Sequence, residues 1–375
     1  MSLLSLVTGL GALGAAAAYF AAGPERFWAN WLLWQLLLLS AGLGSLFLVA
    51  LEHLTDARWS IPLRRTAERT AGLLAPASAA MLAGLFALPV LYPWAHPGAA
   101  LMPHGAAKSA WLSAPFFSAR VVLCSALWLL AWRLLAGGSL EQDKTKDPAL
   151  SVLARRFAPF FMALFAVTVT TAAFDWLSSL EPEWYSDVLG VYFFAGIFLA
   201  GLASVTLLAV HLIGAGRLPG VRFDHVYNLG GFLFAFTVFW SYIAFAQYLL
   251  MWYAHLPEEV FWYQRRLEGP WRTAALALAV FHFLIPFFAL IPRDAKGDLP
   301  RLRWVAILLL GAHFLDLYWL IFPVLGPDPL FSWPEVSFAL FFIGAALLWI
   351  RRSLAQGADM PIGDPRLEEG LAFRL

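Results

Sequence analysis

Phe174-Asp175-Trp176-Leu177-Ser178-Ser179-Leu180-Glu181-Pro182-Glu183-Trp184-Tyr185-Ser186 closes an apolar run, and from Phe160 to Ala173 that run carries no charge. The run reads as a helix long enough to cross the hydrocarbon core of a bilayer, which takes about 20 apolar residues. Asp175 falls near its end. An ionised Asp costs roughly 2.5–3.5 kcal/mol at the centre of a membrane helix, and less near the interface. Thr168, Thr171, Asp175 and Ser178, at spacings of 3, 4 and 3, share one helix face, so a polar stripe runs along a lipid-compatible rod. Two readings follow: a buried acid satisfied by a neighbouring Arg or hydroxyl, or a group for proton or ligand chemistry, the usual role of an intramembrane acid.

Composition extends this reading to the whole chain. Of 375 residues, 61% are hydrophobic and 13% charged, against about 25% charged in soluble domains. An all-α integral membrane protein is expected. The net charge of +1 argues against a nucleic-acid partner. The single cysteine, Cys124, excludes an intrachain disulfide framework and a four-thiolate iron–sulfur site built by this chain alone.

Ten apolar segments are expected to span the bilayer: 3–22, 28–54, 72–92, 114–135, 157–180, 188–212, 229–252, 271–290, 302–322 and 335–350. The longest loops, 93–113 and 136–156, read as Pro/Gly-rich or charged connectors. Nineteen of the 25 Lys and Arg residues then lie on one side, five lie on the other, and Arg120 lies inside a span. The basic side is the cytoplasmic one, which places both termini in the cytoplasm. Segment 3–22 has no positively charged start, so it reads as a span and not as a cleaved signal. Its Gly11/Ala15 and Gly14/Ala18 spacings suit close helix packing.

A weak internal repeat divides the chain into a first helix (1–27), a four-helix bundle (28–187), a second four-helix bundle (188–325), and a last helix with a cytoplasmic tail (326–375). The first helix of each bundle ends on the cytoplasmic side with a histidine, His53 and His211. The fourth carries an acid in its outer half, Asp175 and Asp316.

The polar residues suggest what the bundles carry. Glu52 and His53, at the cytoplasmic end of 28–54, are candidates for proton entry, while Asp56 just beyond reads as an interfacial residue reaching water. His313 and Asp316, at i and i+3, can touch. His282 lies mid-span on the preceding helix. Histidine titrates near neutrality, so these three can relay protons, although a core histidine bonded to a carbonyl and a bis-histidine haem site are the competing readings. Glu52, His53, Asp175, His211, His282, His313 and Asp316 are therefore the candidate proton path. Arg120, at a depth similar to Asp175 and one helix earlier, is its candidate partner. The aromatic helix 229–252 would suit packing or a quinone ring and isoprenoid tail.

These motifs also carry a resemblance. Asp175-Trp176 through Tyr185-Ser186, followed by Gly190-Val191-Tyr192-Phe193-Phe194, resembles the signature of the NrfD/polysulfide-reductase-type membrane subunits of bacterial alternative complex III. The run Phe234 to Tyr248, Trp252-Tyr253-Ala254-His255-Leu256-Pro257-Glu258-Glu259, His282 to Pro286 and His313 to Trp319 narrow the resemblance to the ActF-like subunit, over about residues 28–325. The arginine that follows Pro-Phe-Phe in that family's fourth helix matches Arg120. His255 stands where Asn is commoner, and neither that change nor Leu189 touches a titratable role.

The resemblance implies two four-helix bundles and no redox centre bound by this chain. It implies a quinol-oxidising complex in the bacterial inner membrane, with haem c and iron–sulfur clusters on partner subunits and a sister NrfD-like chain. The contribution expected here is a proton path with possible quinone contacts; which residues would touch quinone is left open. A stand-alone proton-coupled transporter and a purely structural membrane anchor are the rival classes. Intramembrane acids, an internal repeat, Gly230-Gly231 and Pro286 would all suit a transporter.

Overall fold

The computed structural model describes residues 2–96 and 106–375, residue 106 by its backbone alone. Every long element is a helix, and among the described residues ten are long and apolar enough to cross a membrane. They are α1 (Leu3–Ala21), α2 (Pro24–Leu54), α3 (Ile61–Leu91), α4 (Ala114–Thr145), α5 (Pro148–Leu180), α6 (Leu189–Gly214), α7 (Phe223–Ala254), α9 (Trp271–Leu290), α10 (Leu299–Val324) and α11 (Trp333–Leu354). A shorter helix, α8 (Pro257–Leu267), joins α7 to α9. This is the all-α integral membrane fold.

Local signals start these helices. The Ser2 hydroxyl accepts from the Ser5 amide to begin α1, and Asp147 accepts from the Ala149 amide ahead of Pro148 to begin α5. Asp298 does the same for α10 through the Arg301 amide. Ser332 and Glu335 form a capping box at α11. In each case a short polar side chain satisfies an amide that has no carbonyl partner in the first turn.

Several helices outrun the apolar segments that mark them. The third span begins at Ile61 and takes in Arg64, Arg65, Glu68 and Arg69, all buried. The fourth continues as a helix to Thr145 through a π-turn at Arg133–Gly137, and the fifth begins at Pro148. Loop 136–156 is thus mostly helical. Charge lowers apparent apolarity, yet a charged helix start can be buried when ion pairs satisfy it.

The core forms around α2 and α6, which are buried on nearly all sides. They cross with backbones in contact: a Cβ on Gly44 would stand 2.2 Å from the Ile197 carbonyl oxygen, and one on Gly201 2.4 Å from the Gly44 carbonyl carbon. Only glycine permits that approach. α2 packs on α3 and α5, and α6 packs on α7 and α10; across the middle, α5 touches α6 and α10 touches α2. The small residues of α1 meet α11, where a Cβ on Gly11 would strike the Phe341 amide at 2.5 Å and one on Gly14 the Ser337 hydroxyl. α1, α7, α9 and α11 leave large apolar side chains exposed, such as Phe20, Tyr242, Phe288 and Ile343, as a lipid-facing surface does.

Candidate functional site

The two acids that the sequence pattern sets on fourth helices, now α5 and α10, have different partners. Asp175, in the last turn of α5, receives two hydrogen bonds from Arg120 on α4: Nε to Oδ2 at 2.8 Å and Nη2 to Oδ1 at 2.7 Å. Both side chains are buried. The guanidinium also lies over the Trp111 and Phe116 rings, at 4.1 and 4.4 Å from their centroids. A turn and more deeper, Trp128 donates to the Thr168 hydroxyl at 2.8 Å. Of the stripe read from sequence, Thr168 and Asp175 are buried, while Thr171 and Ser178 are partly exposed.

Among the described residues, no guanidinium or ammonium pairs with Asp316 on α10. Its Oδ1 accepts from the Tyr192 hydroxyl of α6, and its Oδ2 accepts from the Trp240 indole of α7 at 3.3 Å. His313 Nδ1 lies 3.7 Å from Oδ2, and His313 Nε2 lies 3.0 Å from the Ser40 hydroxyl of α2. Gly196 makes room for that imidazole, since a Cβ there would stand 2.8 Å from His313 Cε1. Tyr192, Asp316, His313 and Ser40 therefore form a row that joins α6, α10 and α2, every member buried, with His313 Nδ1 lacking a hydrogen-bond partner among the described residues.

His282 sits behind Trp240, the ring centroids 3.8 Å apart, and 6.2 Å from the His313 ring. It is fully buried, and neither ring nitrogen has a partner among the described residues. It lies in a π-turn, Ala279–Leu284. Pro286, four residues on, has no N–H for the His282 carbonyl, and the widened turn follows from that loss.

Glu52 and His53 are buried, not open to solvent. Arg64 links Glu52 (3.5 Å) to Asp364 (2.6 Å), a residue of the segment following α11. That segment is tied down along its length. Asp359 pairs with Arg69 and Arg217, the Gly363 amide donates to Asp143 at 2.8 Å, Arg366 pairs with Asp56, and His225 bonds the Gly370 carbonyl at 2.9 Å. Burial works to raise the Asp364 carboxyl, but the Arg64 charge and the Arg366 amide outweigh it and hold the carboxyl below the usual range. His53 has no hydrogen-bond partner on either ring nitrogen among the described residues. His211, by contrast, is exposed at the end of α6, so the structure does not bring it to the other candidates.

The opposite face holds a cluster of which the sequence marked only the motif residues Glu181 and Trp184, without their partners. Glu181, within the opening motif, pairs with both Arg265 and Arg266 of α8, each at 2.6 Å. Trp184 stacks on Trp262 at 4.4 Å with planes 10° apart, and Arg266 lies 3.8 Å over the Trp262 ring. Arg266 also donates to the Leu320 carbonyl (2.9 Å), and Trp319 donates to the Arg266 carbonyl (3.1 Å). Burial pushes the Arg266 guanidinium down to about 10, against the pull of Glu181. The one sequence signal was a Glu and a Trp three apart beside a helix-ending Asp; the partners lie some 80 residues on. Tyr192, Trp240 and Ser40 were likewise given no role.

Fold and site together define a polytopic all-α membrane protein with buried acids in distinct settings. No protein-family model matches the sequence, and no curated protein matches it. Among the described residues, no group of three or more His, Cys, Asp or Glu is placed to hold a metal ion.

Proposed function

We propose that this chain is a membrane subunit of a quinol-oxidising respiratory complex of the alternative complex III kind, and that its second helical set carries a proton path. The motif resemblance set out above supports the first part. The second rests on one observation, the buried Tyr192–Asp316–His313–Ser40 row, in which an acid with no Lys or Arg partner among the described residues accepts from a hydroxyl on one side and lies 3.7 Å from an imidazole on the other. Such a group can change its proton occupancy without breaking a fixed ion pair. Glu52 and His53 lie toward the face covered by the terminal segment, and His282 lies beside that row. Asp175, held by Arg120, serves as the fixed counterpart in the first set.

Under this reading the partners are a sister NrfD-like chain, an iron–sulfur protein and haem c subunits in the bacterial inner membrane. Both termini face the cytoplasm, and quinol is the electron source. Mild-detergent purification of the full chain from its native membrane is the first test, with haem c and iron–sulfur subunits expected to come with it. A chain that comes out alone would overturn membership. In the reconstituted complex, Asp316→Asn is expected to keep quinol oxidation and lower the protons released per electron. An unchanged ratio would remove the proton path.

A further inference from the structure

The two side chains that donate hydrogen bonds to Asp316 are also walls of a cavity. Tyr192 and Trp240 line a half-open space of about 500 Å³ between α6, α7, α8, α9 and α10. It lies toward the face that carries α8, because walls come from the later turns of α7 (Gln247, Tyr248), from α8 (Trp262, Tyr263) and from Trp319, while α9 (Leu278, Phe283) gives it a mostly apolar side. Gln247 is only 3% exposed, and its side-chain carbonyl oxygen has no partner among the described residues. With Ser241, Tyr248 and Tyr263 it gives the cavity several convergent polar groups. A buried water needs two to four such partners and only about 10–15 Å³ of probe-occupied volume. The space is ample for a short file of waters.

Of the two donors, only one can pass a proton on. The Trp240 indole is a donor and cannot accept, whereas the Tyr192 hydroxyl does both. We propose that this cavity is the vestibule through which Asp316 exchanges protons with the α8 face, with the Tyr192 hydroxyl as the relay. The inference rests on the proton-path reading and adds its exit. In the outward step, the protonated Asp316 carboxyl gives its proton to Tyr192 Oη as the Tyr192 hydroxyl proton passes to a water in the cavity. The products are the carboxylate, an intact tyrosine and a hydronium ion. The observed hydrogen bond, with Tyr192 donating to Asp316, is the arrangement left after that release.

The vestibule's cover is α8, and the Glu181–Arg265/Arg266 pairs fasten it to the 181–188 loop while Arg266 also fastens it to the end of α10. That gives the opening motif's Glu181 a role the buried acids do not explain: it sets how far the cover can lift.

The test uses the full chain reconstituted into vesicles, with a trapped pH dye reporting proton flux under a potassium diffusion potential. Asp316→Asn and Tyr192→Phe are each expected to lower the flux at least tenfold relative to the unaltered chain. A flux unaffected by Asp316→Asn, or no flux above protein-free vesicles, would overturn the path itself. A flux lowered by Asp316→Asn but not by Tyr192→Phe would overturn the vestibule and leave the path standing. A second measurement does not depend on flux. In a Cys124→Ala background, Ser241→Cys is expected to react with a charged, membrane-impermeant thiosulfonate added from the α8 side, and faster when Glu181→Gln is added. Reaction with a lipid-soluble maleimide alone would show a cavity filled from the bilayer, by a tail or an apolar ring, and would overturn the proposal.

Discussion

Removing one partner of the Arg120–Asp175 pair should cost far more than removing both. The pair makes two charge-assisted hydrogen bonds at 2.7 and 2.8 Å with both side chains buried, so either group left alone is a desolvated charge. Breaking a buried pair from one side costs roughly 3–5 kcal/mol, while replacing both members by apolar residues is often mild. Against a total stability of about 5–15 kcal/mol, a single loss is severe. The two sides are not equal. A lone carboxylate can neutralise itself by binding a proton, whereas a lone guanidinium cannot. Asp175→Leu therefore strands the worse charge, softened by about 0.5–2 kcal/mol of cation–π attraction to Trp111 and Phe116. Arg120→Leu gives up those ring contacts. Both singles should fall near the same value, and the double variant should be about 2–3 kcal/mol more stable than either single. Unfolding by titrated sodium dodecyl sulfate in mixed micelles, followed by tryptophan fluorescence, measures all four states. A double variant that loses the sum of the two singles would refute the partnership.

The crossing of α2 and α6 predicts that Gly201→Ala, whose Cβ would lie 2.4–2.6 Å from backbone atoms of Gly44 and Ser45, destabilises by about 1–3 kcal/mol or more. Gly231→Ala, with nothing within 4 Å, should be neutral or stabilising by up to about 1 kcal/mol in the same titration. The terminal segment should be sensitive to acid. Asp364 has a folded-state carboxyl depressed below its ordinary value, so its contribution is fully present above about pH 4 and lost as pH falls through the depressed value. Hydrogen exchange of the 355–375 amides should therefore rise below about pH 4, and Asp364→Asn should raise it already at neutral pH.

The fold was legible because its signal is coarse. A run of about 20 apolar residues has few other uses, and ten such runs gave ten spans whose apolar cores lie where the sequence placed them. Their ends were not legible. Arg64, Arg65, Glu68 and Arg69 look like a solvated cytoplasmic loop, and only the acids Glu52, Asp143, Asp359 and Asp364, up to about 300 residues away, make it possible to bury them. Pairing of that range leaves no trace in local periodicity. The same limit applies at the site. The spacing of His313 and Asp316 announced a contact along one helix, but Tyr192, Trp240 and Ser40 reach Asp316 and His313 from α6, α7 and α2. Glu52 and His53 looked open because they end a helix, and the segment that covers them follows the last span.

The two acids also show why position alone is a poor guide to role. Asp175 and Asp316 each lie in the later half of their helices, α5 and α10, and the sequence treats them alike. Their neighbours do not. Asp175 faces a guanidinium that carries its charge at all ordinary pH values, so a proton arriving there must first displace a two-pronged ion pair, at several kcal/mol. Asp316 faces a phenol, an indole and an imidazole, of which the phenol and imidazole can each give or take a proton. A fixed charge suits holding α4 to α5, and the hydroxyl and imidazole near Asp316 are the groups the proposed proton path would use. Arg120 on α4 and His282 on α9 show where the two settings differ: Arg120 holds Asp175 in an ion pair, whereas His282 lies behind the Trp240 ring that donates to Asp316.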